Sequence, residues 1–169
     1  MATITNTLKE KQPAVKLIGK QYTDADRDQF GGYGAKWQEW FQNGYFDALQ
    51  GGGIEGISDD FVGVFRCIND VFEYWIGCFM NVQDEVPAGY QSIDLPAADL
   101  AVCYVYGKED TGELYGLEVH EACLQTWSAQ GWQIAEDTWF VERYNCPRFT
   151  TPDEHGNVIL DYCAYLAQE

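Results

Sequence analysis

The stretch WFQNGY at residues 40–45 has a second version further along the chain, WSAQGW at 127–132. Both hold a Trp, three residues, a Gly and an aromatic. The spacing is kept as well: Trp40 precedes Tyr74 of EYWIGC by almost the same distance as Trp127 precedes Tyr162 of DYCAYL. Around each copy the pattern is strand, helix, then a pair of strands. One β-α-β-β unit used twice is the reading that follows, with the first repeat at about 14–82 and the second at about 87–167 of a single domain, 1–169. Such a duplication predicts an α+β fold. It predicts two antiparallel sheets edge to edge, a main helix over each half and a ligand cleft between the pseudo-symmetric halves.

The local signals agree. AVKLIGKQY (14–22) alternates as a strand does. The apolar residues Tyr33, Trp37, Trp40, Phe41, Tyr45, Ala48 and Leu49 fall on one helical stripe, ended by the Gly-rich GGGIEGISDD, read as a flexible connection. FVGVFRCI (61–68) and VFEYWIGCFMNV (71–82), separated by Asn69-Asp70, predict a hairpin. VPAGYQSIDLPAADLAVCYVYG reads as two strands with Pro96 near the turn. A second helix puts Val119, Ala122, Cys123, Thr126 and Trp127 on one face. DTWFVERYN and VILDYCAYL close the series, joined by the turn-rich TPDEHGN. Asp24, Asp26 and Asp28 resemble the start of a calcium loop, but Gln29 and Ala35 occupy the positions that need Gly and Glu. These acids read instead as the polar start of the first helix.

Composition narrows the function. The formal net charge is −17, with 10 Lys and Arg against 27 Asp and Glu. Nucleic-acid binding needs cationic side chains to displace phosphate counterions, so none is expected here. The charge serves solubility, or a field that gathers cations. No apolar run is long enough to span a bilayer, and the N-terminus lacks a signal-peptide core, so a cytoplasmic location is expected. The six cysteines form no CxxC pair and no zinc-spaced group with histidine; they read as buried free thiols. No metal site, cofactor or Ser/His/Asp arrangement is expected. Aromatic residues make up 15 % of the chain, enough to line a pocket as well as a core.

Within WFVERYN (139–145), strand alternation puts Phe140, Glu142 and Tyr144 on one face and Trp139, Val141 and Arg143 on the other. Glu142 on an exposed face would pair with a neighbouring Lys or Arg. In a cleft it would be a costly desolvated carboxylate, suited to holding a cation against ring faces or to acting as a base. Trp37 lies on the first helix's stripe, where core packing is the ordinary role. The strand tyrosines Tyr74, Tyr104, Tyr106, Tyr144 and Tyr162 divide between core and cleft. His120 sits inside a helix and His155 in a turn, and neither gains a role from spacing.

The chain resembles the GyrI-like small-molecule-binding domain, the effector-binding module of AraC-type and MerR-type transcription regulators that also occurs free-standing. The resemblance is carried by KWQEWFQNGYFDAL, FEYWIGCFMN followed by VPAGYQSIDLPA, TWSAQGWQI, WFVERYN and ILDYCAYLA, from about Val15 to Ala167. It implies a duplicated β-α-β-β fold with a cleft. It also implies that the Glu of the ERY strand, here Glu142, contacts cationic aromatic ligands, and that the first-helix Trp is Trp37. The sequence departs from the pattern in lacking the proline before the "SG" step, having WSAQGW, and it carries no helix-turn-helix. Three functions compete. The first is binding of amphipathic, planar, cationic small molecules, as in multidrug binding, by a sequestering protein or by a sensor acting through an unknown protein partner. The second is cofactor-independent hydrolysis of cyclopropane-bearing electrophiles, with Glu142 activating water and aromatic walls holding the substrate. The third is inhibition of a cationic protein surface, as a gyrase inhibitor would act.

Overall fold

A computed structural model describes residues 2–49, 61–135, 137–144 and 146–167. The chain divides into two compact units. The first comprises residues 14–96 and the second residues 1–13 with 97–169. In the first unit the strands are β2 (Val15–Thr23), β3 (Val62–Ile68), β4 (Val71–Met80) and β5 (Gln91–Leu95), with helix α1 (Gly34–Gln42). They pair antiparallel in the order β5-β2-β4-β3. In the second unit β1 (Thr3–Gln12), β6 (Ala98–Gly107), β7 (Phe140–Arg143) and β8 (Val158–Tyr165) pair antiparallel as β1-β6-β8-β7. Helix α2 (Leu117–Ala129) and the short α3 (Pro147–Thr150) complete it. The duplicated α+β architecture expected from the repeat is therefore the one observed.

The repeat boundaries differ from the expected ones in an informative way. β1 precedes β2 in sequence but pairs with β6, and β5 precedes β6 but pairs with β2. β5, which falls in the second repeat, is thus an edge strand of the first unit, and β1, which precedes both repeats, is an edge strand of the second. Both changes of unit fall at a two-residue Pro-Ala step, Pro13-Ala14 and Pro96-Ala97. Pro has no N–H to continue a ladder and pushes the residue before it into extended backbone. Gln12 accordingly ends β1 opposite Ala98, and Leu95 ends β5 opposite Val15.

The sequence motifs have local physical causes. Asn69 and Asp70 both take positive φ, 52° and 64°, as a two-residue turn matched to strand twist requires. In the repeated W-x-x-x-G motif the Trp sits at the third-last helical residue and is fully buried in both copies, Trp40 and Trp127. The Gly follows the C-cap with positive φ, 66° at Gly44 and 78° at Gly131. In α2 the Gly131 N–H donates to the Ser128 carbonyl and the Trp132 N–H to that of Trp127, a hydrogen-bonded helix stop. Gly44 stops α1 as well, so the expected stripe does not continue to Leu49 in one phase. A 3-10 turn, Tyr45–Leu49, follows and buries Phe46 and Leu49, while Phe41 and Ala48 are exposed. Asp24–Asp26 is a 3-10 turn capped by Thr23. The Asp28 carboxylate accepts from the backbone N–H of Phe30, Gly32 and Ala35. The acids at 24, 26 and 28 therefore shape the entry to α1. The connection expected over 51–60 lies outside the described residues.

In each unit the paired strands present two faces. In the first unit α1 and its turn pack Tyr33, Trp40, Phe46 and Leu49 on Ile18, Tyr22, Tyr74, Ile76, Cys78 and Met80. In the second unit the opposite side of the sheet from α2 carries an ion cluster. Asp161, 1 % exposed, lies 2.9 Å from Arg143 and is clamped by both Nε and Nη2 of Arg148. Arg143 also donates to both oxygens of Glu10, at 2.9 and 3.3 Å. Removing one member of a buried pair strands the remaining charge. Asp161→Ala is expected to lower stability by about 3–5 kcal/mol in urea unfolding, and Arg148→Met, whose position is more open, by clearly less.

Candidate functional site

Glu142 is built from β7. That strand pairs with β8 so that Glu142 faces Tyr162 and Arg143 faces Asp161. Cross-strand partners share a side of the sheet, so Glu142 and Arg143 point to opposite sides. Phe140 and Glu142 point toward α2, as alternation predicts. There His120 of α2 meets Phe140 edge-on at 4.7 Å, and its Nδ1 lies 2.7 Å from the Tyr162 hydroxyl. The Trp127 indole lies nearly parallel to the Tyr162 ring, 6.3 Å away. Glu142 is only 8 % exposed and Tyr162 5 %.

The electrostatics of this cluster follow from burial and one carboxylate. Burial raises the Tyr162 phenol well above its usual range, and the Glu142 charge raises it further. Tyr115, just before α2, is raised by the same two causes in the same order. Two phenols on different elements thus sense the same carboxylate. His120 is held below its ordinary value by burial, with the Glu121 charge opposing. Neutral imidazole is therefore the form that the cluster accommodates.

The first unit gathers the other predicted residues. Trp37, half-buried on α1, donates its indole N–H to the Tyr74 hydroxyl at 3.0 Å. Tyr74 stacks on Tyr33 at 4.2 Å and is the ladder partner of Phe65. The two units correspond closely here: Tyr74 with Phe65 in one stands where Tyr162 with Glu142 stands in the other. The carboxylate occupies a position that the sister unit gives to a ring. Tyr33 and His120 correspond too, each two helical turns before the buried Trp.

The remaining predicted tyrosines are placed elsewhere. Tyr104 pairs with Asp161 in the β6–β8 ladder, on the side away from Glu142, with the Arg148 guanidinium 4.6 Å from its ring centre. Tyr106 shares that side and binds Asp153 and Asn157 through its hydroxyl. Tyr144 follows the last residue of β7, and its ring meets Phe149 of α3 at 5.1 Å. Sequence reasoning missed His120 and Tyr115. His120 was accessible through helical phase, since it precedes the buried Cys123 and Trp127 at helical spacing. Tyr115 lies in a turn and gives no periodic signal.

Two surface hollows lie in the second unit. One, of about 520 Å³, is lined by Thr3, Tyr106, Lys108, Thr111, Glu113 and Asn157 among others. The other, of about 250 Å³, is bordered by Ile4, Val105, Tyr115, Val119 and Ala122 among others. Among the described residues no group of three or more His, Cys, Asp or Glu is placed to hold a metal, and no helix is long and apolar enough to cross a membrane. All six cysteines are free; Cys78, Cys103, Cys123 and Cys163 are buried, Cys146 is half-buried and Cys67 is exposed.

Among solved structures the chain is similar to SAV2435 bound to tetraphenylphosphonium, with a TM-score of 0.72 at 15 % identity over 96 % of this chain and 94 % of that one. It is similar to a putative bacterial transcription regulation protein from Staphylococcus aureus MU50, with a TM-score of 0.69 at 15 % identity over 96 % and 99 %. It is also similar to the EcmrR C-terminal domain, with a TM-score of 0.62 at 9 % identity over 97 % and 98 %. No family model matches the sequence, and no curated protein matches it. The likeness at these identities is one of fold.

The lowered His120 has a measurable sign. In the unfolded chain this histidine gains a proton near its ordinary value of 6.5, whereas the folded protein resists it to lower pH. Its contribution to stability is thus full above pH 6.5 and is lost as pH falls through the folded value. Urea midpoints measured from pH 7.5 down to 5 should fall, and His120→Phe should make that fall shallower.

Proposed function

We propose that this chain binds amphipathic aromatic cations, planar ones among them, with Glu142 as the counter-charge and aromatic rings as the contact surface. The observation that carries the reading is Glu142 itself: a carboxylate 8 % exposed, flanked by Phe140 and Tyr162, at the position that the sister unit fills with Phe65. A carboxylate beside ring faces is a setting in which an aromatic cation is held by charge and by π surface together. Trp37 and Tyr74, joined by their hydrogen bond, are read as aromatic contact surface within the first unit alone. Tyr104, Tyr106 and Tyr144, engaged with Arg148, Asp153 and Phe149 respectively, hold the scaffold. The binding of tetraphenylphosphonium by SAV2435, a protein of the same fold, supports the ligand class. That cation is tetrahedral about phosphorus, so aromatic surface and charge matter more than flatness.

The test is a titration followed by Trp fluorescence. Tetraphenylphosphonium and ethidium are each added to wild type and Glu142→Gln, with neutral triphenylphosphine oxide as comparator. Loss of a charge-assisted contact corresponds to about 10- to 100-fold weaker binding of both cations, with the neutral compound unaffected. Equal cation affinity in the two proteins would remove the counter-charge role.

A further inference from the structure

Two thiols meet in the seam between α2 and the strands beneath it. Cys103 of β6 and Cys123 of α2 are both fully buried, and a side-chain hydrogen bond joins them. Ladder register sets Cys103 between Thr7 and Tyr162, so its side chain is on the α2 side of the sheet. The Thr7 hydroxyl lies 3.8 Å from the Cys103 sulfur and donates to the Val102 carbonyl at 3.1 Å. The Trp127 indole N–H is buried with no partner at ordinary hydrogen-bonding geometry among the described residues, and its influence reaches the same sulfur.

The two thiols are not equivalent. The hydrogen bond from Cys123 holds the Cys103 thiol below its ordinary value against the opposing effect of burial, and Thr7 and Trp127 add to the lowering. The same hydrogen bond, together with burial, holds Cys123 well above its own. The pair therefore gives up one proton at Cys103, while Cys123 keeps its own as donor. The thiolate is the nucleophilic form of cysteine. Cys163 differs: it pairs with Val102, on the other side of the sheet, and burial pushes it up to about 12.

Both sulfurs are closed to bulk solvent, but the seam opens a step further along. The hollow of about 250 Å³ is bordered by Ile4 and Val105, ladder partners of each other, and by Val119. Val105 is two residues on from Cys103 and on its side of the sheet, and Val119 is one helical turn before Cys123. At about 30 Å³ for a water-sized molecule, the hollow admits a small hydroperoxide, whereas a protein disulfide does not fit.

We propose that Cys103 and Cys123 are a peroxide-reactive thiol pair, with Cys103 the attacking thiol and Cys123 the resolving one. The Cys103 thiolate attacks one oxygen of the hydroperoxide and the O–O bond breaks. The other oxygen leaves as an alcohol, or as water from hydrogen peroxide, with the proton that Cys103 gave up. The sulfur is oxidised to a sulfenic acid and the peroxide is reduced. The Cys123 sulfur then attacks the sulfenic sulfur, the S–O bond breaks, and the hydroxyl leaves as water with the Cys123 proton. Two thiols and a hydroperoxide become a disulfide, an alcohol and water, and α2 is tied to β6. The hydrogen bond already holds the two sulfurs in the contact from which a disulfide closes. None of this depends on the cation-binding reading.

The test exposes the full chain, under native conditions, to hydrogen peroxide until the exposed Cys67 is oxidised. Free thiols are then alkylated in denaturant, and peptides are read by mass spectrometry with and without reductant. Cys103 and Cys123 should lose their free thiols together, as one linked peptide pair that reductant separates, while Cys163 stays free. In Cys123→Ser, dimedone should trap a sulfenic acid at Cys103; in Cys103→Ser it should trap none at Cys123. Cys103 and Cys123 both free once Cys67 is oxidised, a disulfide that forms only in urea, or equal oxidation of Cys163 overturns the pair. A trap at Cys123 and none at Cys103 overturns the order of attack. Should either variant fail to fold, the wild-type peptides decide the pair by themselves.

Discussion

The contact between Arg143 and Asp161 is the constraint on which the candidate site depends. It is buried, it lies directly across the β7–β8 ladder, and it is braced by Arg148 and Glu10. A slip of one residue in that ladder would turn every β7 side chain to the other face. Arg143 would then enter the aromatic cluster under α2, and Glu142 would face Asp161. Both outcomes bury a charge without its partner, at a cost of several kcal/mol. The ion pair on one side of the sheet thereby fixes which carboxylate stands on the other. Asp161 and Tyr162 are consecutive residues of one strand, so the structural lock and the chemical site are adjacent in the chain and separated only by the thickness of the sheet.

The internal repeat places two chemically different clusters on one design. In the first unit the helix–sheet contact is a stack of rings, Tyr33 on Tyr74 with Phe65 beside it. In the second unit the corresponding places hold His120, Tyr162 and Glu142. The duplicated scaffold supplies the same positions twice; a phenol is kept in both, and in one copy alone its two neighbours are an imidazole and a carboxylate. A ring stack packs against flat apolar surface whatever the pH. The second version sets a carboxylate and an imidazole beside the phenol.

How far these features were legible in the sequence follows from their physical origin. The Asn69-Asp70 turn and the W-x-x-x-G helix stop were readable because each is a local backbone requirement with its own residue signature. Glu142's side of the sheet was readable because strand alternation depends on two residues only. The strand β1 and its place in the second unit were not, since TITNTLKEKQ has almost no apolar alternation and its pairing is set by residues far along the chain. Phe46 was missed because Gly44 resets the helical phase. Tyr104 and Tyr106 look equivalent to Tyr162 as strand tyrosines, and only the ladder register sends them to the other side of the sheet.

The Pro-Ala exchange has a consequence for how the chain is made. β1 is synthesised first, yet its ladder partner β6 emerges only after residue 98, so at ordinary translation speeds β1 waits on the order of ten seconds. A naked strand of apolar residues would be a hazard over that interval. β1 instead carries Lys9, Glu10 and Lys11 with a run of Thr and Asn. The polarity that hid it from sequence analysis is what lets it remain in solution until the ribosome has delivered its partner.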